Sequence, residues 1–161
     1  MAQSTGVLFV CHGNICRSPI AEGVFRHLVE QQGRGSEFTV DSAGIIGYHA
    51  GEAPHRQSTR VCRDHGIDIT AQRSRQLVPA DLARFAWIFT MDDDNQRGVM
   101  ALTRSNGGAR VQLLLEAGGD ARREVPDPYY GGPEGFDEVY AMILGACETI
   151  LRSQLAPGRR P

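Results

Sequence analysis

The sequence predicts an α/β domain whose parallel sheet is covered by helices on both faces. Two observations carry that prediction. Apolar periodicity alternates between strand-like and helix-like stretches from one end of the chain to the other, and four short apolar runs are separated by helical segments. The first run, Gly6–Val10, is continuous and reads as a buried strand. Ile20, Ala21, Val24, Phe25, Leu28 and Val29 then share one helical face, with Gly33 as the stop. Phe38–Ala43 is the second strand candidate, followed by a Gly-rich loop to about Pro54. A weaker helix spans His55–His65 and ends at Gly66, and Leu77–Phe85 reads as a short helix. Trp87–Thr90 is the third strand, and the Asp92–Asp94 run caps a helix reaching Leu102. Val111–Leu115 is the fourth. In the last helix Phe136, Val139, Tyr140, Ile143, Leu144, Cys147, Ile150 and Leu151 recur at three- and four-residue steps. Its acids come early and Arg152 late, complementing the helix dipole. Residues 1–156 form one domain by this reading, and Pro157–Pro161, lacking an apolar anchor, a disordered tail.

Composition narrows the function. The 161 residues include 41% hydrophobic and 22% charged side chains, with a formal net charge of −2. A chain of this size buries enough surface to fold without disulfide or metal. The near-neutral charge argues against a general nucleic-acid binder. Val7–Cys11 is far too short to span a bilayer and no basic segment precedes it, so neither a membrane span nor a secretory signal is expected. All 17 basic residues are Arg, which leaves no lysine for a Schiff base or a Walker-type phosphate site. Four Cys without an export signal read as free thiols of a cytoplasmic protein.

The stretch that carries chemistry is Cys11-His12-Gly13-Asn14-Ile15-Cys16-Arg17-Ser18-Pro19, between the first strand and the first helix. Cys-x5-Arg by itself is a weak signal, but its placement and content strengthen it. Ser18 suits an N-cap and Pro19 the first helical position, so the loop ends on a helix N-terminus. Gly13 and Asn14 tolerate positive φ, which lets successive N–H groups turn inward into a nest for a phosphate-sized dianion. Those N–H groups, the helix end, Arg17 and the Ser18 hydroxyl favour a thiolate at Cys11, placed to attack phosphorus in line. Arg17 offers a planar fork to two phosphoryl oxygens. The leaving oxygen then needs a proton. Asp127, in Val125-Pro126-Asp127-Pro128-Tyr129-Tyr130-Gly131-Gly132, is the candidate acid, with two Tyr beside it as an aromatic wall. On its own that loop reads as an ordinary turn. The cysteine loop changes the weighing, because its chemistry lacks an acid and no other loop pairs an Asp with aromatics.

Together these motifs resemble the low-molecular-weight protein tyrosine phosphatases. The resemblance rests on Cys11–Pro19, Ser42-Ala43-Gly44, Met91-Asp92 and Asp127-Pro128-Tyr129-Tyr130-Gly131, in that order over nearly the whole chain. It implies a four-stranded parallel sheet flanked by helices on both faces, with the phosphate-binding loop between the first strand and the first helix. It also implies hydrolysis of phosphotyrosine through a phosphocysteine on Cys11, with Arg17 binding the phosphoryl group and Asp127 as acid and then base. No metal or other cofactor takes part. His12, Gly13, Asn14, Ile15, Cys16, Arg17 and Ser18 are the expected phosphate-binding residues. His12, Ile15, Tyr48, Tyr129 and Tyr130 are the expected pocket wall, with Asn14, Ser42 and Asp92 supporting the loop.

The chain departs from the family pattern at three positions. His12 stands where a smaller or aliphatic residue is frequent, Tyr48 where Trp is common, and Gln72 where many members carry a His. Ile15 replaces the Thr expected of relatives that act on phosphoarginine, and so favours an aromatic ring. Cys16 reads either as a small packed hydrophobe or as a resolving thiol that traps an oxidised Cys11 as a disulfide; the resemblance favours the second. Cys62 and Cys147 read as core residues. Arg56, Arg60 and Arg63 share a helical face near the rim, better explained as a solvated surface than as a peptide-binding one. The expected partners are a phosphotyrosine-containing protein, a bacterial tyrosine kinase or its substrates, with no nucleic acid or membrane and a monomer or weak dimer. Abundant Arg, Gly and Ala without Lys fit a bacterial chain. The alternatives are a protein arginine phosphatase, a thiol-dependent arsenate reductase and a non-catalytic phosphopeptide-binding module. Residues 63–146 contain no Cys, which deprives an arsenate reductase of its downstream relay.

Overall fold

The computed structural model describes residues 3–103 and 108–158. Four strands, β1 (Thr5–Cys11), β2 (Phe38–Gly44), β3 (Trp87–Thr90) and β4 (Arg110–Leu113), form one parallel sheet in the order β2-β1-β3-β4. The helices are α1 (Arg17–Gln31), α2 (Arg56–Asp64), α3 (Asp81–Arg84), α4 (Asp93–Met100), α5 (Leu114–Ala117) and α6 (Pro133–Arg152). The α/β architecture with a four-stranded parallel sheet matches the expectation.

Strand alternation divides the interior in two. Val7, Phe9 and Cys11 of β1 point into the larger core, shared with α1, α2, α5 and α6. Leu8 and Val10 point into a smaller core with Ala43, Leu77, Leu82, Phe85, Ile88 and Val99. Phe9 lies between Phe25 at 5.6 Å and Phe89 at 5.8 Å, tying α1 to the sheet centre. Cys62 and Cys147 are fully buried in the larger core, as expected. No helix among the described residues is long and apolar enough to cross a membrane.

Three elements differ from the sequence reading. α3 covers only Asp81–Arg84 of the expected Leu77–Phe85, because Leu77 is held to β2 by its N–H bond to the Gly44 carbonyl. The fourth strand stops at Leu113, and Leu114 and Leu115 turn into α5; an unbroken apolar run cannot distinguish the two. The N-cap of α1 is Cys16, and the helix already includes Arg17. Ser18 does not cap it, since the Ser18 hydroxyl is engaged inside the loop. Pro19 sits two residues after the helix start, where its missing N–H still costs no helical bond. The arginine face of α2 is also less free than expected: Arg60 reaches Asp137 of α6 at 2.8 Å and Asp64 at 3.1 Å. Pro157 and Gly158 form an exposed turn, and the remainder of the expected tail, 159–161, lies outside the described residues.

Candidate active site

β1 ends at Cys11 and α1 begins at Arg17, so residues 12–16 must reverse direction over the C-terminal edge of the sheet. Asn14 makes the reversal at φ 58°, a left-handed conformation that Asn adopts more readily than most residues. What shapes the loop is where its carbonyls go. Cys11 O accepts from Ile45 N–H at 3.0 Å and His12 O from Ile46 N–H at 3.0 Å. Gly13 O accepts from the Ser74 hydroxyl at 3.0 Å, Ile15 O from His55 N–H at 2.7 Å, and Cys16 O from the Ser58 hydroxyl at 3.0 Å. A trans peptide plane points the following N–H the opposite way, so carbonyls bound outside leave an N–H edge turned inward.

The loop packs on Gly44 at the end of β2. A Cβ there would lie 2.9 Å from the Gly13 carbonyl carbon and 3.0 Å from Asn14 N, so a larger residue would displace the loop. Behind the loop Asn14 Nδ2 donates to Ser18 Oγ at 2.7 Å and Ser42 Oγ at 3.0 Å, while Asn14 Oδ1 accepts from Arg75 N–H at 3.0 Å. Ser42 in turn donates to Glu22 Oε1 at 2.6 Å. Burial raises the Glu22 pKa, against the opposing pull of Ser42 and Arg26. Cys11 Sγ lies 3.1 Å from Ser18 Oγ.

Arg17 is 2% exposed. Its Nη1 donates to Asp92 Oδ2 at 2.7 Å and to the Val125 carbonyl at 2.9 Å, and its Nη2 lies 3.8 Å from Asp127 Oδ2. Burial opposes its charge, but Cys11, Asp92 and Asp127 outweigh that and hold its pKa above the ordinary value. Asp92 serves twice, because its Oδ1 accepts from Asn95 N–H and caps α4. Val125 is pinned to the end of β3 through its N–H bond to Met91 O, which brings the 125–132 loop over the cysteine loop. There Asp127 Oδ1 accepts from Tyr129 N–H at 3.1 Å.

The result is a cleft of about 550 Å³. Of the expected residues, Cys11, His12, Gly13, Ile15, Cys16, Arg17, Tyr48, Asp127, Tyr129 and Tyr130 line it. Asn14, Ser18, Ser42 and Asp92 lie behind it and make the bonds given above. Tyr48 and Tyr130 stand out from the surface at 81% and 93% exposure. Burial first, then the nearby Cys11 and Asp127, pushes the Cys16 thiol up to about 12. Gln72 donates to Pro19 O at 3.1 Å. Sequence reasoning missed Ile46 and His49 in the lining, and the outer anchors Glu22, His55, Ser58, Ser74, Arg75 and the Val125 carbonyl. Most act through one hydroxyl or a backbone group from a distant segment, which leaves no local pattern. His49 had one sequence signal, its place next to the expected wall residue Tyr48; in the structure its ring carbon would lie 3.0 Å from a Cβ on Gly13.

Comparison with known proteins gives the same picture. The chain is 39% identical over 155 residues to the low molecular weight phosphotyrosine protein phosphatase of Schizosaccharomyces pombe, covering 95% of this chain and 99% of that one. It is 39% identical over 148 residues to the low molecular weight protein-tyrosine-phosphatase YfkJ of Bacillus subtilis, covering 91% and 94%. The crystal structure of YfkJ superposes with a TM-score of 0.89 over 96% of both chains. A Drosophila arginine phosphatase structure superposes at 0.87 with 32% identity, covering 94% of this chain and 98% of that one. The family model for low molecular weight phosphotyrosine protein phosphatase matches from residue 6 to residue 158, and the chain belongs to that family.

Proposed function

We propose that this member of the family hydrolyses phosphotyrosine in proteins in two displacements at Cys11. The phosphoryl group sits in the N–H ring with two oxygens on the Arg17 fork. The Cys11 thiolate attacks phosphorus as the ester P–O bond breaks, and Asp127 gives its proton to the departing phenolate. Asp127 then takes a proton from water, the water oxygen bonds to phosphorus, and the S–P bond breaks to return the thiolate and inorganic phosphate. The Ser18 hydroxyl, 3.1 Å from Sγ, stabilises the sulfur anion at both ends of the cycle. Arg17 binds best when the phosphoryl oxygens lie in the equatorial plane of the transition state.

The observation that carries this reading is that Cys11 and Arg17 share one loop and Asp127 faces the same guanidinium from another, 3.8 Å away. Ile15, His12, Tyr48, Tyr129 and Tyr130 supply the cleft walls for an aromatic ring. Asn14, Ser42 and Asp92 hold the loop and the arginine from behind. Cys16 is the resolving thiol: when peroxide oxidises the Cys11 thiolate to sulfenic acid, the anion that helps suppress Cys16 ionisation is gone, and Cys16 sulfur bonds to Cys11 sulfur as the S–OH bond breaks and water leaves. The working unit is the single domain 1–156, a cytoplasmic monomer or weak dimer acting on a bacterial tyrosine kinase or its substrates.

The test is hydrolysis of matched phosphotyrosine, phosphoserine and phosphoarginine peptides, with Cys11→Ser as control. Turnover of phosphotyrosine alone, lost in Cys11→Ser, is the expected result. Preference for phosphoarginine would show that Ile15 does not set the choice. Binding without turnover by the unmodified protein would make it a phosphopeptide-binding module.

A further inference from the structure

We infer that His55 is a positioning residue for the Asp127 loop, acting through the ring of Tyr129. His55 lies in neither catalytic motif, yet it touches both loops and the helix behind them. Its N–H donates to Ile15 O at 2.7 Å, fixing it to the phosphate loop. Its Nδ1 accepts from Gln57 N–H at 3.0 Å, capping α2. One face of the imidazole stacks on Phe136 of α6, with centroids 4.9 Å apart and planes at 22°. Tyr129 meets it edge-on, at 5.8 Å and 70°.

Phe136 is 1% exposed and rigid in the larger core, so the imidazole carries that rigidity outward to Tyr129. Tyr129 itself is 41% exposed, and the other ring it meets, Tyr130 at 4.8 Å, is 93% exposed and carries no anchor from the core. Its backbone N–H is the donor to Asp127 Oδ1. A line of contact therefore runs Phe136, His55, Tyr129, Asp127, and the last member is the proposed acid. Burial, and then Arg56, holds the His55 pKa below 6.5, which keeps Nδ1 free to accept at neutral pH.

The inference rests on Asp127 being the acid, and the experiment separates the two ideas. His55 has two functions that different substitutions divide. His55→Asp keeps a good N-cap and removes the ring; His55→Phe keeps a ring and removes the cap. Rates are measured on p-nitrophenyl phosphate, whose leaving group needs little protonation, and on phenyl phosphate, whose leaving group needs much. His55→Asp is expected to lose about tenfold in kcat/KM on phenyl phosphate, the parameter that reports formation of the phosphocysteine, while kcat/KM on p-nitrophenyl phosphate stays within about twofold and Tm is unchanged. His55→Phe is expected to hold both rates and melt about 2–4 °C lower. Equal losses on both substrates in His55→Asp, or none, would overturn the inference. Asp127→Asn is the reference and should lose about 10²–10⁴-fold on phenyl phosphate. If it shows no such selectivity, the acid assignment falls and the inference falls with it.

Discussion

Removing the carboxylate of Asp92 should damage stability and catalysis by separable amounts, because its two oxygens hold different partners. Oδ2 binds Arg17 Nη1 at 2.7 Å, and Oδ1 caps α4 through Asn95 N–H at 2.8 Å. Asp92→Asn keeps an oxygen for the cap and loses the charged bond to a guanidinium whose side chain is 3% exposed. A hydrogen bond to a charged group is worth about 1.5–3 kcal/mol, and the 22% exposure of Asp92 favours the lower half, about 2 kcal/mol. Asp92→Ala loses the cap as well, a further ~1 kcal/mol. At about 2–4 °C per kcal/mol for a chain of this size, Tm should fall by about 4–8 °C in the Asn variant and about 6–12 °C in the Ala variant. Catalysis should not follow that order. Either change frees one side of Arg17, leaving only the Val125 carbonyl on Nη1, so kcat/KM for an aryl phosphate should drop about tenfold or more in both. The assay pairs thermal melts with steady-state kinetics on the two variants. An Asn variant with the rate of the unmodified protein would show that Arg17 does not need Asp92. An Ala variant much slower than Asn would show that the helix cap feeds the site.

Glu22, buried behind the loop with a raised pKa, holds its proton more firmly in the native state than in the unfolded chain. The associated stability is fully present below the ordinary value of 4.5 and is lost as pH rises through the raised native pKa. Glu22→Gln should therefore gain on the unmodified protein as melts are repeated upward from about pH 4; parallel curves would contradict this. Burial, with Cys11 and Asp127, lifts Cys16 to about 12 and burial alone lifts Cys62 to about 12, while Cys147 is pushed higher still by burial and Glu148. Iodoacetamide at neutral pH should thus label Cys11 in the folded protein and spare the other three, with inorganic phosphate protecting; mass mapping that finds Cys16 modified first would defeat the assignment. Gly44→Ala places a methyl against the backbone of Gly13 and Asn14, which cannot rotate away. It should cost about 1–3 kcal/mol and weaken vanadate binding at least tenfold, whereas unchanged vanadate affinity would mean the loop tolerates the shift.

Regular apolar patterns made most of the fold legible. Trp87–Thr90 read as a strand because Trp87, Ile88 and Phe89 run unbroken, Phe38–Ala43 because Phe38 and Val40 alternate with polar residues, and α6 read clearly over its 20 residues. Legibility failed where an apolar run crossed from strand to helix, at Leu113–Leu115, and where a tertiary contact overrode local signals, at Leu77. Ser18 shows the limit most plainly. Its sequence position suits a cap, but Cys11 Sγ and Asn14 Nδ2 both reach its hydroxyl, and a distant requirement set its use. In the site, residues contributing a special side chain within a short motif were visible. Val125 contributes a carbonyl, Arg75 an N–H and Ser74 a hydroxyl, and groups that common carry no signature until the chain is folded.

The bond from Arg17 to the Val125 carbonyl joins groups 108 positions apart in the chain. During synthesis at about 5–20 residues per second, roughly 5–20 s separate the two on the ribosome. For that interval a nascent chain already has the cysteine loop but lacks the segment that delivers Asp127. It can neither aim Arg17 fully nor protonate a leaving group. Turnover therefore begins only after residues 125–127 have been made and have settled over the cysteine loop. A reactive thiol is thus produced early, and its chemistry is withheld until the segment that carries Asp127 arrives.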